Sequence, residues 1–199
     1  MITFVLFSTL ATFYFTMFFT PGPNNAMLTA SGMKFGFVKT LPHLIGITLG
    51  HVLQISLTCF GLANLFLLYP QVQFYMKILC FLYLLYLGWK MIGSFSIIKK
   101  ETGRPLKFYE ASAFQFINPK AWSIAVAVAS GFFPTEENIF IGVIFVVTTA
   151  AIINLPTCSL WALFGSGLRK YINNAKIKKI IEYLLALLLF LTGLYILLK

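Results

Sequence analysis

Phe19-Thr20-Pro21-Gly22-Pro23-Asn24-Asn25-Ala26-Met27 interrupts an apolar run that extends from about Ile2 to about Met33. Two prolines and a glycine in three positions cannot continue a helix. Each Pro lacks a backbone donor and clashes with the preceding turn, and Gly adds flexibility. In lipid, a backbone group left without a partner costs several kcal/mol. A broken helix at membrane depth is therefore found where protein buries it or where it lines a water-filled cavity. The stretch predicts a broken membrane helix that builds a transport site.

The rest of the chain agrees with a membrane setting. Of its 199 residues, 59% are hydrophobic and only 10% are charged, with a mean hydropathy of +0.89. A soluble domain is about 45–50% apolar and about 25% charged. At roughly 20 apolar residues per crossing, the chain has room for six helices and little else. It reads as an all-α integral membrane protein, one transmembrane domain over residues 1–199. The start, Met1-Ile2-Thr3-Phe4-Val5, has no basic segment and no small-residue cleavage site. The first span is therefore expected to act as its own insertion signal and to stay.

Six spans can be drawn. The first runs from about Ile2 to Met33, broken at Pro21–Pro23, where Gly22 and Pro23 read as the cap and first turn of a second half-helix. The second runs from about Pro42 to Leu68 and carries Gly46-x-x-x-Gly50, a small-residue face that lets helices approach closely. That face can pack within the monomer or between subunits, which leaves a homo-oligomer open. The third runs from about Phe74 to Phe95, with Trp89 and Lys90 as interface anchors. The fourth runs from about Ala111 to Phe133 and includes Gln115-Phe116-Ile117-Asn118-Pro119-Lys120-Ala121-Trp122. The fifth runs from about Ile139 to Gly165, interrupted at Asn154-Leu155-Pro156. The sixth runs from about Ile180 to Leu198.

The net charge of +10 is carried by short loops, not by a basic helix interleaved with aromatics, so nucleic acid is not the expected partner. Lys34 and Lys39 lie in the first loop. Lys99, Lys100, Arg104 and Lys107 lie in the third, and Arg169, Lys170, Lys176, Lys178 and Lys179 in the fifth. The second and fourth loops hold only Lys77, and the fourth also holds Glu136 and Glu137. The positive-inside rule places the odd-numbered loops in the cytoplasm and both termini outside.

Thr20-Pro21 and Asn118-Pro119 stand 98 residues apart, close to half the chain. Halves 1–97 and 98–199 would each hold three spans, and an odd number inverts the second copy. The pattern predicts a 3+3 inverted repeat with broken helices 1 and 4 and a site at the repeat interface. Two unrelated proline kinks are the alternative.

The chemistry of such a site can be read from its residue types. A half-helix starting at Pro23 aims free N–H groups and its positive dipole end at the break, which suits a carboxylate. Asn24 and Asn25 add donors and acceptors. Lys120, about ten residues past the cytoplasmic edge of the fourth span, is the one basic residue that reads as intramembrane, and a buried cation needs a partner. A substrate carboxylate is one partner; a lysine snorkelling to the interface is the other reading. Asn154 and the carbonyls freed by Pro156 can take an ammonium group. Pro21, Gly22, Pro23, Asn24, Asn25, Asn118, Pro119, Lys120 and Asn154 thus form a candidate site for a small zwitterion. No Asp or Glu is expected deep in a span, with Glu110 and Glu182 at helix ends, which disfavours a carboxylate-built cation site. His51 is the deep group that titrates near neutral pH, so either it relays a coupling proton or a carbonyl holds it. Cys59, Cys80 and Cys158 form no C-x-x-C pair and read as packing residues, neither a redox relay nor a metal site. The pattern requires no catalytic residue, metal or cofactor.

The run Thr20-Pro21-Gly22-Pro23-Asn24-Asn25, followed by Ser31-Gly32, Gly36, Pro42-His43, Gly46 and Gly50, resembles the N-terminal signature of the LysE/RhtB family of amino-acid exporters. Phe116-x-Asn118-Pro119-Lys120-Ala121 is similar to that family's second motif. Trp161-Ala162-Leu163 and the leucine-rich last span resemble the branch that exports cysteine and O-acetylserine. The resemblance covers the whole chain. It implies a multi-pass protein of the bacterial inner membrane that moves small, neutral amino acids out of the cytoplasm, driven by protons, with binding roles for Pro21, Gly22, Pro23, Asn24, Asn118, Pro119 and Lys120. An exporter of metal cations within the same superfamily is the second reading. A membrane enzyme or thiol carrier is the third, and it would need paired cysteines or a nucleophile with a base.

Overall fold

The structure, a computed structural model, describes residues 2–62, 68–92, 103–171 and 174–198. Helix α1 (Phe4–Phe19) opens on Thr3, whose hydroxyl accepts from the Leu6 amide at 3.1 Å. It ends at Thr20, because the residue before Pro21 is driven out of the helical region. Helix α2 (Pro23–Phe35) restarts with Pro23 in its first turn, and the two axes meet at 57°. At 1.5 Å per residue α1 is about 24 Å long and α2 about 20 Å, so only the pair together crosses a hydrocarbon core of about 30 Å.

Gly36 ends α2 with φ 85°, a conformation that favours glycine, and the same residue opens α3 (Phe37–Leu57). The second span was expected to begin at Pro42, but α3 starts five residues earlier and carries Pro42 inside it. Near the helix start this proline forfeits only the bond its N–H would have made to Val38. A π-turn over Thr58–Leu62 closes the helix, with Gly61 at φ 117°. Helix α4 (Pro70–Met91) begins on its own proline. The far ends of predicted spans two and three, and Lys99 and Lys100, lie outside the described residues.

A second interruption lies where the fourth span was expected. Helix α5 (Phe108–Gln115) is only about 12 Å long, and α6 (Pro119–Gly131) about 20 Å. Asn118 separates them in an extended conformation, and its side-chain oxygen accepts from the Lys120 amide at 3.1 Å. Helix α7 (Ile139–Leu168) runs unbroken, so the expected interruption at Asn154-Leu155-Pro156 does not occur. A lone proline removes one donor, and the Asn154 side chain is engaged elsewhere and caps nothing. Helix α8 (Ala175–Leu198) starts five residues before the predicted Ile180. Glu182, expected at a helix end, therefore lies two turns in and is 3% exposed.

Among the described residues every element is helical. Two stretches, Phe37–Gly61 and Ile139–Tyr171, are each long and apolar enough to cross a membrane, and the bent α1–α2 pair makes a third if it is one broken span. The burial pattern inverts that of a soluble protein. Along α7, Ile144, Ile152, Leu160 and Phe164 are exposed, while Thr149, Asn154 and Thr157 are buried. Polar residues inside and large apolar ones outside are what a lipid solvent selects.

Glycines set the tightest approaches. A Cβ on Gly32 of α2 would strike the Ala162 carbonyl of α7, and one on Gly165 would strike the Thr29 carbonyl. Gly46 and Gly50 press α3 against α5, where a Cβ on Gly50 would lie 2.7 Å from Ser112 Cα, and the Ser112 hydroxyl donates to Gly46 O at 2.9 Å. The small-residue face of α3 is thus used inside the chain. Leu10, Tyr14, Phe18, Ile124 and Val146 close one side of the bundle through α1, α6 and α7, and Leu28, Leu44, Ile47 and Ala162 close the other through α2, α3 and α7. The two helix breaks lie between these layers.

Candidate functional site

The last turn of a helix leaves carbonyls without partners. At the end of α1 they are taken up one by one. Met17 O accepts from the Thr20 hydroxyl at 2.9 Å. Asn25 Nδ2 donates to Phe18 O at 2.7 Å and to Thr20 O at 2.8 Å. Asn25 thereby ties the first turn of α2 back to the last turn of α1 and fixes the bend.

Lys120 arrives from the other break. It is the second residue of α6, where the helix dipole disfavours a cation. Its ammonium donates to Thr20 O at 2.9 Å, Thr20 Oγ1 at 2.9 Å and Pro21 O at 3.2 Å. Three donors meet three oxygens, all on the first break. In this arrangement the ammonium is satisfied by carbonyl and hydroxyl dipoles of the first break. Gly22 makes the arrangement possible, since a Cβ there would lie 3.0 Å from both Cδ and Nζ of Lys120.

A second bridge joins the breaks. Asn24 Nδ2 donates to Gln115 Oε1 at 2.8 Å, and Gln115 Nε2 returns a longer bond to Asn24 Oδ1 at 3.3 Å. Gln54 of α3 supports the end of α5 by donating to Gln115 O at 3.0 Å. Sequence reasoning missed Gln115, Thr20 and Gln54 as site residues. The available signal was an amide inside an apolar span, three residues before Asn118 in one case and three after His51 in the other.

These groups surround one cavity. Gly22, Pro23, Asn24, Asn25, His51, Asn118, Lys120 and Asn154 line it, with Met17, Phe18, Ala121, Ile124 and Cys158 as its less polar wall. Pro21 and Pro119 do not line it; Pro21 supplies a carbonyl to Lys120, and Pro119 starts α6. The free space is about 20 Å³, enough for about one water and far less than an amino acid needs. His51 is 2% exposed, packs against Phe18 with ring centroids 5.2 Å apart, and has no partner at Nδ1. Asn154 Oδ1 already accepts from Thr48 Oγ1 at 2.7 Å and from Cys158 Sγ at 3.3 Å. In this closed arrangement it cannot also receive an ammonium group. Cys158, read as a packing residue, faces the cavity.

Outside the membrane-spanning segments, Arg104 grips Glu110 with two bonds of 2.6 Å, and the carboxylate also accepts from the Lys107 amide at 2.7 Å. The guanidinium holds the Glu110 carboxyl down to about 2. This pair anchors the start of α5 and so the approach to the second break.

Comparison with known proteins places the chain among translocators. The family described as LysE type translocator matches residues 15–199. A cysteine/O-acetylserine efflux protein of Salmonella typhi is 29% identical over 147 residues, 73% of this chain and 75% of its own length. Proteins of the same name from Shigella flexneri (28% over 165 residues, 81% and 83%) and Escherichia coli O1:K1 (29% over 150 residues, 73% and 75%) are similar to a comparable extent. No solved structure matches.

Proposed function

The chain belongs to the family of LysE type translocators, and from that membership we propose that it is a secondary active exporter of small, neutral amino acids, coupled to protons, in the inner membrane of a bacterium. One observation carries the reading. The two proline breaks, far apart in sequence, converge on one cavity lined by Lys120, His51 and four asparagines.

Convergent helix breaks suit a zwitterion. The amide ends of α2 and α6 attract a carboxylate, and the carbonyl end of α1 attracts an ammonium group. The order of elements supports a 3+3 inverted repeat of six spans: a broken helix and two continuous ones (α1–α2, α3, α4), then the same again (α5–α6, α7, α8). Pro23 and Pro119 hold the same place, the first turn of the second half-helix. In this scheme residues 1–97 and 98–199 are the repeats, the basic odd-numbered loops face the cytoplasm, and both termini face outward. The efflux proteins to which the chain is similar make cysteine and O-acetylserine the first substrates to try. His51, with a free ring nitrogen at the cavity, is the coupling residue of this reading.

The test is transport in proteoliposomes holding the full chain, with a panel of labelled amino acids that includes cysteine and O-acetylserine. Movement of a small neutral amino acid with an imposed pH gradient, lost when the gradient is collapsed, is expected. Folded protein that moves no amino acid refutes the reading. A variant lacking Cys59, Cys80 and Cys158 should still transport; its failure would favour a soft-metal or thiol carrier.

A further inference from the structure

We infer that Lys120 is the latch of the cavity, exchanging its bonds to Thr20 and Pro21 for the carboxylate of the substrate, so that loading releases the first helix break.

Four features lead there. The ammonium spans the breaks by binding Thr20 O, Thr20 Oγ1 and Pro21 O, all at the exposed edge of the first break. These acceptors carry no net charge. A carboxylate adds the attraction of opposite full charges to the ammonium's hydrogen bonds, so an incoming anion competes with them. Lys120 stands at the amino end of α6, where it opposes the helix dipole until an anion joins it. The cavity behind the lysine has room for about one water, so no amino acid enters until part of the wall moves. His51, buried and unpartnered at Nδ1, marks that cavity as a polar compartment that the closed state leaves incompletely bonded.

The exchange has a mechanical consequence. Once the ammonium leaves, Asn25 still ties α1 to α2, and the 57° junction keeps the Asn24–Gln115 pair as its side-chain tie to the second break. Gly22 belongs to the same device, because a side chain there would crowd Cδ and Nζ of Lys120 at the rim and disturb its bonds. The inference rests on the export reading for its ligand, but its first measurement does not.

Cys158 is a native reporter, 2% exposed and facing the cavity. In full-length protein carrying Cys59→Ala and Cys80→Ala, reaction of Cys158 with a small methanethiosulfonate reagent would be timed without substrate. Lys120→Met and Gly22→Ala should each raise the rate several-fold, and Thr20→Val, which keeps both carbonyls, should raise it less. Lysine serving only as a substrate ligand predicts an unchanged rate in all three, and that result overturns the latch. Should Lys120→Met fail to give monodisperse protein, Gly22→Ala decides, since it retains the lysine. The second measurement compares O-acetylserine with its methyl ester, in protein shown to transport O-acetylserine or, failing that, with the amino acid the liposomes do move. A change in Cys158 reactivity with the free acid but not the ester is expected. Equal effects of acid and ester overturn the exchange, and absence of all amino-acid transport removes the export reading while leaving the first result standing.

Discussion

If the Asn24–Gln115 pair couples the two helix breaks, removing both partners must cost less than the sum of removing each. The bonds measure 2.8 and 3.3 Å, and Gln115 is fully buried while Asn24 is half-buried. Side-chain hydrogen bonds between membrane helices average about 0.6 kcal/mol and reach about 1.7. With one well-formed bond and one long one, the coupling energy should fall between about 0.6 and 2 kcal/mol. Its sign follows from what each change strands. Gln115→Leu leaves the Asn24 amide facing a hydrocarbon side chain, and Asn24→Leu does the same to Gln115. The double variant strands neither, so its loss should fall short of additivity by the coupling energy. Equilibrium unfolding of the four proteins in detergent, by far-UV circular dichroism, measures it. Distant, independent sites add within about 0.3–0.5 kcal/mol. Additivity inside that margin would show that the amides do not act as a pair, and the bridge between the breaks would rest on Lys120 alone.

Other outcomes follow from single contacts. His51→Gln should retain folding and flatten the pH dependence of transport; an unaltered profile moves the coupling proton elsewhere. Gly165→Leu should destabilise the fold by about 1–3 kcal/mol or more, because α2 and α7 meet backbone to backbone at Thr29, and a wild-type melting temperature would contradict that packing. Glu110→Gln should lower the melting temperature at neutral pH. The folded carboxyl sits at about 2, below its unfolded value, so its contribution is present above the unfolded pKa and fades as pH falls toward 2. The gap between variant and wild type should therefore close with acidification; a constant gap would assign the effect to something other than ionisation.

The positions of the breaks were legible because their chemistry is local. Two prolines flanking a glycine, or a proline behind a capping asparagine, act on the few residues around them. The same reasoning failed at Pro156, where Asn154 is drawn to Thr48 and Cys158 and provides no cap. That engagement crosses from α7 to α3, and sequence spacing does not contain it. The start of α3 was misplaced for a related reason: Gly36, at φ 85°, joins two helices in a single residue, so no loop separates them. Glu182 was assigned to an interface because α8 was begun too late, and a shift of five residues turned a helix end into a buried second turn. Least legible was the rotation of each helix. The spans are apolar on nearly every face, so periodicity names no inward side. Gln54, Gln115 and Thr48 gain their meaning only from what stands opposite them.

That opposition also weighs the two transport readings. A cation exporter would carry a positive ion through a cavity lined by an ammonium, and the ammonium would repel it. The cavity wall offers amides, a histidine and a thiol, whereas hard cations favour oxygen-rich sets with carboxylates. Lys120 would be a defect in such a path. For a zwitterion, in the proposed exchange, the same residue is the complement of one end, and the Thr20 and Pro21 carbonyls it releases become the complement of the other. A single movement of one side chain thus prepares both poles of the site at once. A cation has a use for the carbonyl pole only, so the placement of Lys120 favours an amino acid over a metal ion.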